Sequence, residues 1–206
     1  DVNDPGFRNV NFDELKNDYL LSMEALVKGG SDLIFIETIF DTLNCKAALM
    51  ALYELEKKLN KKIPLMLSVT ITDLSGRTLS GQTLEAFYFS IKHSNPVSVG
   101  LNCALGPKEL ESYVVELSRI SEFYVSVHSN AGLPNAFGEY DESAESLASY
   151  AKSWGENGYL NIIGGCCGTT PEHVEAMKKI TSNLKPRIPN AAKQRFELSG
   201  LEKFTF

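Results

Sequence analysis

Five short apolar runs, spaced at nearly regular intervals, constrain the fold of this 206-residue chain more than any other feature. Apolar and β-branched residues dominate each run, which is typical of strands that are buried on both faces. The runs are Asp32 to Glu37, Pro64 to Thr70, Val97 to Asn102, Phe123 to His128 and Leu160 to Ile163. Their starts lie 26 to 37 residues apart, close to the length of one βα unit. The spacing therefore predicts a parallel sheet whose strands alternate with helices.

The segments between these runs predict the helices. Their apolar residues recur every three or four positions, as on the core-facing side of an amphipathic helix. Helices are predicted from Asn44 to Leu59 and around Leu110 to Ile120, and a further one, Phe12 to Lys28, precedes the first strand. Two helix starts are predicted at Pro107 and Pro171, because proline is favoured in the first turn of a helix.

Polar residues gather at the carboxyl ends of the predicted strands, whereas the strand bodies are apolar. The ends carry Glu37-Thr38, Thr70 with Thr72-Asp73, Asn102-Cys103, His128 with Asn130, and Gly164 to Cys167. In a barrel of parallel strands all these ends meet on one face, where barrel enzymes keep their active sites. An open doubly wound sheet would bring together only some of them, at its switch point. The pattern favours the α/β class and a (βα)8 TIM barrel.

Five strands are too few to close an eight-stranded barrel. We therefore expect the chain to supply about the last five strands, with the first three lying before Asp1. Residues 1–184 are predicted to form this partial barrel domain. Residues 185–206 lose the periodicity and contain Pro186, Pro189 and Ser199-Gly200, which predicts a linker toward a following domain.

Composition argues against several classes of partner. A net charge of -6 and an isoelectric point near 5.2 disfavour nucleic acid, which requires an excess of basic residues on one face. No apolar run approaches the roughly 20 residues that span a bilayer, so no membrane partner is expected. Four cysteines, two of them adjacent, are too few for a disulfide scaffold. Metal or thiol chemistry in a cytoplasmic protein is the expectation.

Three of the cysteines predict a zinc site. Zinc accepts Cys thiolates in tetrahedral geometry, and a catalytic site leaves one position open. Cys103 follows one predicted strand, and Cys166 and Cys167 follow another within the run GGCCG. Neighbouring residues of a regular strand point to opposite faces, so the flanking glycines are expected to break that alternation. Cys45 lies on the apolar side of its predicted helix and is interpreted as a buried hydrophobic residue.

Six segments of the chain form recognisable motifs. Two of them contain the cysteines, and the others are spread from the N-terminus to the loop after the fourth predicted strand. They are DVNDPG at 1–6, IET at 36–38, the loop from Thr70 to Thr83, GLNCALGP at 100–107, NAGLPN at 130–135 and GGCCGTTP at 164–171. These motifs resemble the homocysteine S-methyltransferase family, and in particular the homocysteine-binding module of cobalamin-dependent methionine synthase. The resemblance covers residues 1 to about 171 and, more weakly, the chain to Leu201.

This resemblance implies a specific reaction and site. Cys103, Cys166 and Cys167 would bind zinc, and the sulfur of homocysteine would occupy the fourth position before accepting a methyl group from methylcobalamin to give methionine. Glu37 matches an acidic residue that receives the substrate amino group, and Asn130 matches a ligand or neighbour of the metal when substrate is absent. Cobalamin and methyltetrahydrofolate would be held by cobalamin-binding and folate-binding modules of the same full-length chain. Family members also contact homocysteine through their first strands.

Three other functions remain open from the sequence. One is a homocysteine methyltransferase of the same fold that uses betaine or S-methylmethionine as donor, although the run from Asn130 to Asn135 disfavours it. Another is a non-catalytic, zinc-stabilised domain whose metal is closed by a fourth protein ligand. The third is a barrel hydrolase with unrelated cysteines. For His128 we expect a structural hydrogen bond in preference to a metal or substrate contact, and for His173 a capping or solvated role.

Overall fold

The computed structural model describes residues 4, 7–72, 74–192 and 196–205. Most of the motif at 1–6 and the strand-end residue Asp73 therefore lie outside the described residues. Six α-helices and seven strands occur in the described part of the chain. In chain order they are α1 (Phe12–Lys28), β1 (Ile34–Ile39), α2 (Thr42–Leu59), β2 (Leu65–Val69), α3 (Leu84–Ile91), β3 (Ser98–Asn102), α4 (Pro107–Ile120), β4 (Tyr124–Ser129), α5 (Ala144–Glu156), β5 (Ile162–Gly165), α6 (Pro171–Thr181), β6 (Glu197–Ser199) and β7 (Lys203–Thr205).

The first five strands form one parallel sheet in the order β1-β2-β3-β4-β5. Each predicted strand is present, with both ends within two residues of the prediction. A sheet that adds strands in one direction without reversal has no switch point, which distinguishes it from a doubly wound sheet. The fold is therefore five successive βα units of a TIM-barrel-like domain, and the predicted fold class is confirmed.

Alternation along the strands separates a face that is covered by the helices from the opposite face of the sheet. On the first face lie aliphatic residues that are at most 7% exposed, including Ile36, Leu67, Val99 and Val127, and they pack against the helices. On the other face, small residues stand in register across the sheet: Ser68 pairs with Gly100, and Gly100 pairs with Ser126. Large side chains hold the sheet to its helices, whereas the small residues of the other face are themselves buried and closely packed.

The segment predicted as a linker makes specific contacts with the barrel. The guanidinium of Arg187 is buried and donates to the carbonyl oxygens of Ser118, Ser121 and Phe123 at 2.6 to 3.2 Å. Strands β6 and β7 pair as an antiparallel hairpin that packs on α3. The boundary at residue 184 remains a prediction, but the residues that follow it are attached to the domain.

The helices of the described residues include none that is both long and apolar enough to cross a membrane.

Candidate metal centre

Three cysteine sulfurs converge where β3 and β5 end. The Sγ atoms of Cys103 and Cys167 lie 3.7 Å apart, those of Cys166 and Cys167 lie 4.0 Å apart, and all three fall within 4.8 Å of one another. Cys103 and Cys166 are half-buried, whereas Cys167 is exposed, so the cluster faces solvent on one side. The three residues predicted as metal ligands are thus brought together.

These separations match a tetrahedral metal site. Zinc–sulfur bonds are about 2.3 Å long, and the edge of a regular tetrahedron with that radius is about 3.8 Å. The two shorter Sγ–Sγ distances lie on either side of that value. Three thiolate donors that leave one side open correspond to a site with a vacant coordination position. The donor set therefore fits a zinc ion together with one external ligand.

The backbone bends in an unusual way to bring Cys103 into the cluster. Cys103 and Ala104 have φ angles of 62° and 57°, in the left-handed region that residues with a Cβ seldom occupy. The Cys103 N–H donates to the His128 carbonyl at 3.1 Å, and the Cys103 carbonyl accepts from the N–H of Leu105 at 2.7 Å. No glycine marks this turn in the sequence, so local patterns did not predict it.

The glycines around Cys166 and Cys167 act mainly through close packing. Only Gly168 has a positive φ, 77°. A Cβ on Gly164 would lie under 3.0 Å from the ring of His128, and one on Gly165 would lie under 3.0 Å from the Thr169 side chain. A left-handed backbone is therefore found at Gly168, whereas Gly164 and Gly165 leave room for their neighbours.

The three cysteine sulfurs can be thiolates at the same time only if a cation lies between them. Without a metal, burial and then the neighbouring Cys103 and Cys167 sulfurs raise the pKa of the Cys166 thiol to about 12. Three thiolates this close repel one another, so they can ionise together only beside a positive charge. Cys45 differs because burial alone is the main cause that raises its pKa to about 12, and it lies in the core away from the cluster. Its predicted structural role agrees with this position.

Asn130 lies beside the cluster as a supporting residue. It is 2% exposed, its Oδ1 accepts a hydrogen bond from the Cys167 N–H at 3.1 Å, and its own N–H donates to the Leu105 carbonyl at 3.2 Å. The side chain thus links the loop after β4 to the cysteine turn after β5. Ligation of the metal by Asn130 stays a prediction.

Glu37 lies at the same end of the sheet, on an irregular part of β1. The pairing of β1 with β2 shifts between Ile36 and Ile39, so that Glu37 and Thr38 leave the regular ladder and are exposed. Exposure on the strand-end face leaves the carboxylate accessible to a ligand. Its contact with a substrate amino group stays a prediction.

The two histidines singled out from the sequence have different surroundings. The His128 ring packs against Phe35 with centroids 5.5 Å apart, and burial lowers its pKa while the Glu37 charge opposes that shift. The buried Nδ1 atom of His128 has no hydrogen-bond partner among the described residues, so the predicted structural hydrogen bond is not found at that atom. His173 does cap α6, because its Nδ1 accepts from the Thr170 N–H at 3.1 Å.

Tyr140 is a neighbour of the cluster that the sequence did not indicate. Its side chain packs over Gly168, where a Cβ would lie under 3.0 Å from the ring. Desolvation and then the adjacent Cys167 sulfur raise the pKa of the Tyr140 phenol. Tyr140 follows β4 and Gly168 follows β5, so only the folded chain places them together.

Comparison with known proteins agrees with this geometry. The family model for homocysteine S-methyltransferases matches residues 2–181. The chain belongs to the homocysteine S-methyltransferase family. Membership confirms the resemblance inferred from the motifs, and the matched region contains all three clustered cysteines.

Solved structures of a homocysteine S-methyltransferase share the fold. The homocysteine methyltransferase MmuM from Escherichia coli, in its apo form, superimposes with a TM-score of 0.66 at 22% identity, covering 83% of this chain and 57% of MmuM. Its metallated form gives a TM-score of 0.66 at 23% identity, covering 85% of this chain and 54% of MmuM. The chain therefore spans little more than half the length of these enzymes.

Proposed function

We propose that this chain is the homocysteine-binding part of a zinc-dependent methyltransferase of the methionine synthase type. Cys103, Cys166 and Cys167 would hold the zinc, and the homocysteine thiolate would take the open fourth position. The observation that carries the proposal is the convergence of the three sulfurs within 4.8 Å on a face open to solvent, with two of their separations close to the edge of a zinc-centred tetrahedron. A cytoplasmic location belongs to the proposal, because the thiols must stay reduced.

The residues of the chain would have two tasks, to bind the zinc and the substrate and to orient the substrate sulfur. Bound zinc supplies the positive charge that stabilises the substrate as a thiolate. Ionising a free thiol of pKa about 8.5 at pH 7.4 costs only about 1.5 kcal/mol, whereas orienting two reactants can contribute roughly 7 to 11 kcal/mol. The main task of the protein is therefore to hold the sulfur in line with the methyl donor. Glu37 would bind the substrate amino group, and Asn130 would keep the Cys167 turn in place.

The motifs decide which methyl donor we propose. The runs NAGLPN at 130–135 and IET at 36–38 resemble methionine synthase, in which methylcobalamin is the donor and methyltetrahydrofolate regenerates it on other modules. A betaine- or S-methylmethionine-dependent homocysteine methyltransferase is the second candidate, because the MmuM structures share the fold of this chain. Both candidates use the same cysteine cluster and differ only in what approaches its open side.

Metal analysis combined with a homocysteine titration tests the proposal. We expect about one equivalent of zinc per chain, and a cobalt-substituted sample should change its visible absorption when homocysteine is added, because a new sulfur ligand joins the ion. Cys166→Ser should lose the metal. The matched control, Cys45→Ser, removes a buried thiol of similar raised pKa outside the cluster and should keep it. If the metal is bound but the visible absorption of the cobalt-substituted protein does not change on addition of homocysteine, the result would instead support the non-catalytic, zinc-stabilised domain.

A donor comparison then separates the two enzymatic candidates. The zinc-loaded protein would be incubated with homocysteine and, in turn, methylcobalamin, S-methylmethionine and betaine, with methionine formation as the measurement. Methionine from methylcobalamin alone is expected. Turnover with either of the other donors at a higher rate would contradict the methionine synthase type while leaving the homocysteine site in place.

A further inference from the structure

Asn102 joins two parts of the candidate site through one buried side chain. It is the last residue of β3, is completely buried and immediately precedes Cys103. Its Oδ1 accepts a hydrogen bond from the Thr38 N–H at 3.0 Å, and its Nδ2 donates to Thr38 Oγ1 at 2.9 Å. Both polar atoms of the amide thus form hydrogen bonds with Thr38 of β1, which is 64 positions away in the sequence.

Thr38 needs this support because of its backbone conformation. Its φ angle is 54°, in the left-handed region, where a β-branched residue is rare and strained. The strain occurs where β1 leaves its regular pairing with β2, directly after Glu37. Such a conformation persists only where the surrounding structure stabilises it. Here the two hydrogen bonds between Asn102 and Thr38 supply that stabilisation. Asn102 therefore holds the backbone that directly follows Glu37.

The backbone of Asn102 is fixed as firmly as its side chain. Its carbonyl accepts a hydrogen bond at 3.0 Å from the Oγ1 of Thr70, the residue that directly follows β2. The next residue, Cys103, enters the left-handed turn that aims its sulfur at the cluster. Asn102 thus connects the backbone beside Glu37 with Cys103, a predicted ligand of the metal.

We propose that Asn102 is a positioning residue for substrate selection: it sets the place of the Glu37 carboxylate relative to Cys103 and so favours thiols that carry an amino group at the spacing found in homocysteine. This inference rests on the proposed function, because it takes the metal-bound sulfur as one end of the substrate. The cysteine cluster binds the thiol and Glu37 binds the amino group, but neither alone fixes the distance between them. Asn102 would fix that distance.

Two thiols that differ only in the amino group test the inference. Homocysteine and 4-sulfanylbutanoate share chain length, thiol and carboxylate, and the second lacks the α-amino group. Their dissociation constants would be measured by calorimetry and by the absorption of the cobalt-loaded protein. Asn102→Ala should weaken homocysteine binding about tenfold, as expected for a lost hydrogen bond to a charged group, and leave 4-sulfanylbutanoate within about twofold. Glu37→Gln should have the same effect, and the double variant should add little to it.

Matched variants separate positioning from general destabilisation. Asn161 also uses both polar atoms of its amide, accepting from the Val125 N–H and donating to the Arg187 carbonyl, but it lies directly before β5, at the opposite end of the sheet from the cluster. Asn161→Ala should leave the ratio of the two dissociation constants unchanged. Thr38→Val, which removes one hydrogen bond, should reduce the preference for homocysteine over 4-sulfanylbutanoate. Thr38→Ser, which keeps the hydroxyl, should retain the wild-type preference. If Asn102→Ala does not fold, Thr38→Val provides the test in its place.

The outcomes distinguish the inference from the proposed function. If Asn102→Ala or Thr38→Val keeps the wild-type preference for homocysteine, or weakens both thiols equally, the positioning role is wrong while the metal site stands. If Glu37→Gln leaves the preference intact, the positioning role is also wrong, since Asn102 acts through that carboxylate. A wild-type protein whose metal binds neither thiol overturns both the inference and the proposed function.

Discussion

At the scale of single residues, the cysteine cluster depends on positions where no side chain would fit. Gly164, Gly165 and Gly168 surround the paired cysteines, and each lies against the side chain of another residue. Gly168 combines two requirements, a φ of 77° and the packing of Tyr140. Substitution there would act on the chain directly after Cys167, where a small shift changes the donor geometry.

Gly168→Ala should therefore lower zinc affinity as well as stability. The left-handed backbone alone costs about 1 kcal/mol for alanine, and the contact with Tyr140 forces a shift in addition. Gly158→Ala is the matched control, because Gly158 has a φ of 68° and open space around it. We expect both variants to lose about 1 kcal/mol or more of unfolding free energy, measured by denaturant titration, but only Gly168→Ala to release zinc to a chelator faster. Equal release rates would contradict this account.

At the scale of elements, helix starts depend on capping residues that periodicity locates only in part. α4 and α6 begin at Pro107 and Pro171, as predicted. α2 begins at Thr42 instead of Asn44, because the Asp41 side chain caps it by accepting from the Asn44 N–H at 2.8 Å. Burial would raise the pKa of Asp41, but this N–H and the Arg8 guanidinium at 2.6 Å outweigh it and lower that pKa.

The cap predicts how stability depends on pH. A lowered carboxyl pKa means that the ionised form of Asp41 stabilises the fold above its ordinary pKa near 3.8, and this stabilisation is lost as the pH falls through the lower, folded value. Asp41→Ala should lose about 1 kcal/mol at pH 7. Asp41→Asn keeps an oxygen for the Asn44 N–H, so it should lose less and should flatten the pH dependence in the acidic range. Thermal unfolding between pH 2.5 and 7 would measure both, and an unchanged acidic slope in Asp41→Asn would rule out this contribution.

At the scale of the whole molecule, the chain after residue 184 completes the end of α4. The last carbonyl groups of a helix have no partners within it. Arg187 donates to the carbonyls of Ser118 and Ser121, and Asn190 Nδ2 contacts the same two atoms at 3.0 to 3.1 Å. A cation at the carboxyl end of a helix also interacts favourably with its dipole. The segment predicted as a linker therefore contributes to the fold of this domain.

Arg187→Met should reveal this contribution. The methionine keeps most of the apolar stem but removes the hydrogen bonds that the guanidinium donates to the carbonyls of Ser118, Ser121 and Phe123. Their loss should cost about 2 to 4 kcal/mol of unfolding free energy, although Asn190 still donates to two of these carbonyls. Arg119→Met is the control, because Arg119 lies in the last turn of the same helix and is exposed. Its change should stay within about 0.5 kcal/mol. A similar loss in both variants, measured by urea unfolding, would mean that the tail does not hold α4.

Local patterns in the sequence determined a large part of this protein. Strand and helix positions follow from periodicity, because the repeat of a strand or helix is expressed over a few neighbouring residues. The order of the units then puts Cys103, Cys166 and Cys167 at strand ends on one face, and the motifs around them indicated the family. Each of these inferences uses residues that are close in the sequence or that occupy equivalent places in successive units.

The tertiary structure alone decided how those residues are held. The left-handed turn at Cys103, the Asn102 bridge to Thr38 and the packing of Tyr140 on Gly168 join residues from different units of the chain. No short-range pattern records such pairs, because each depends on how neighbouring strands align and on the room left between their loops. The sequence indicated the candidate donors of a metal site, and long-range hydrogen bonds and packing determined their geometry.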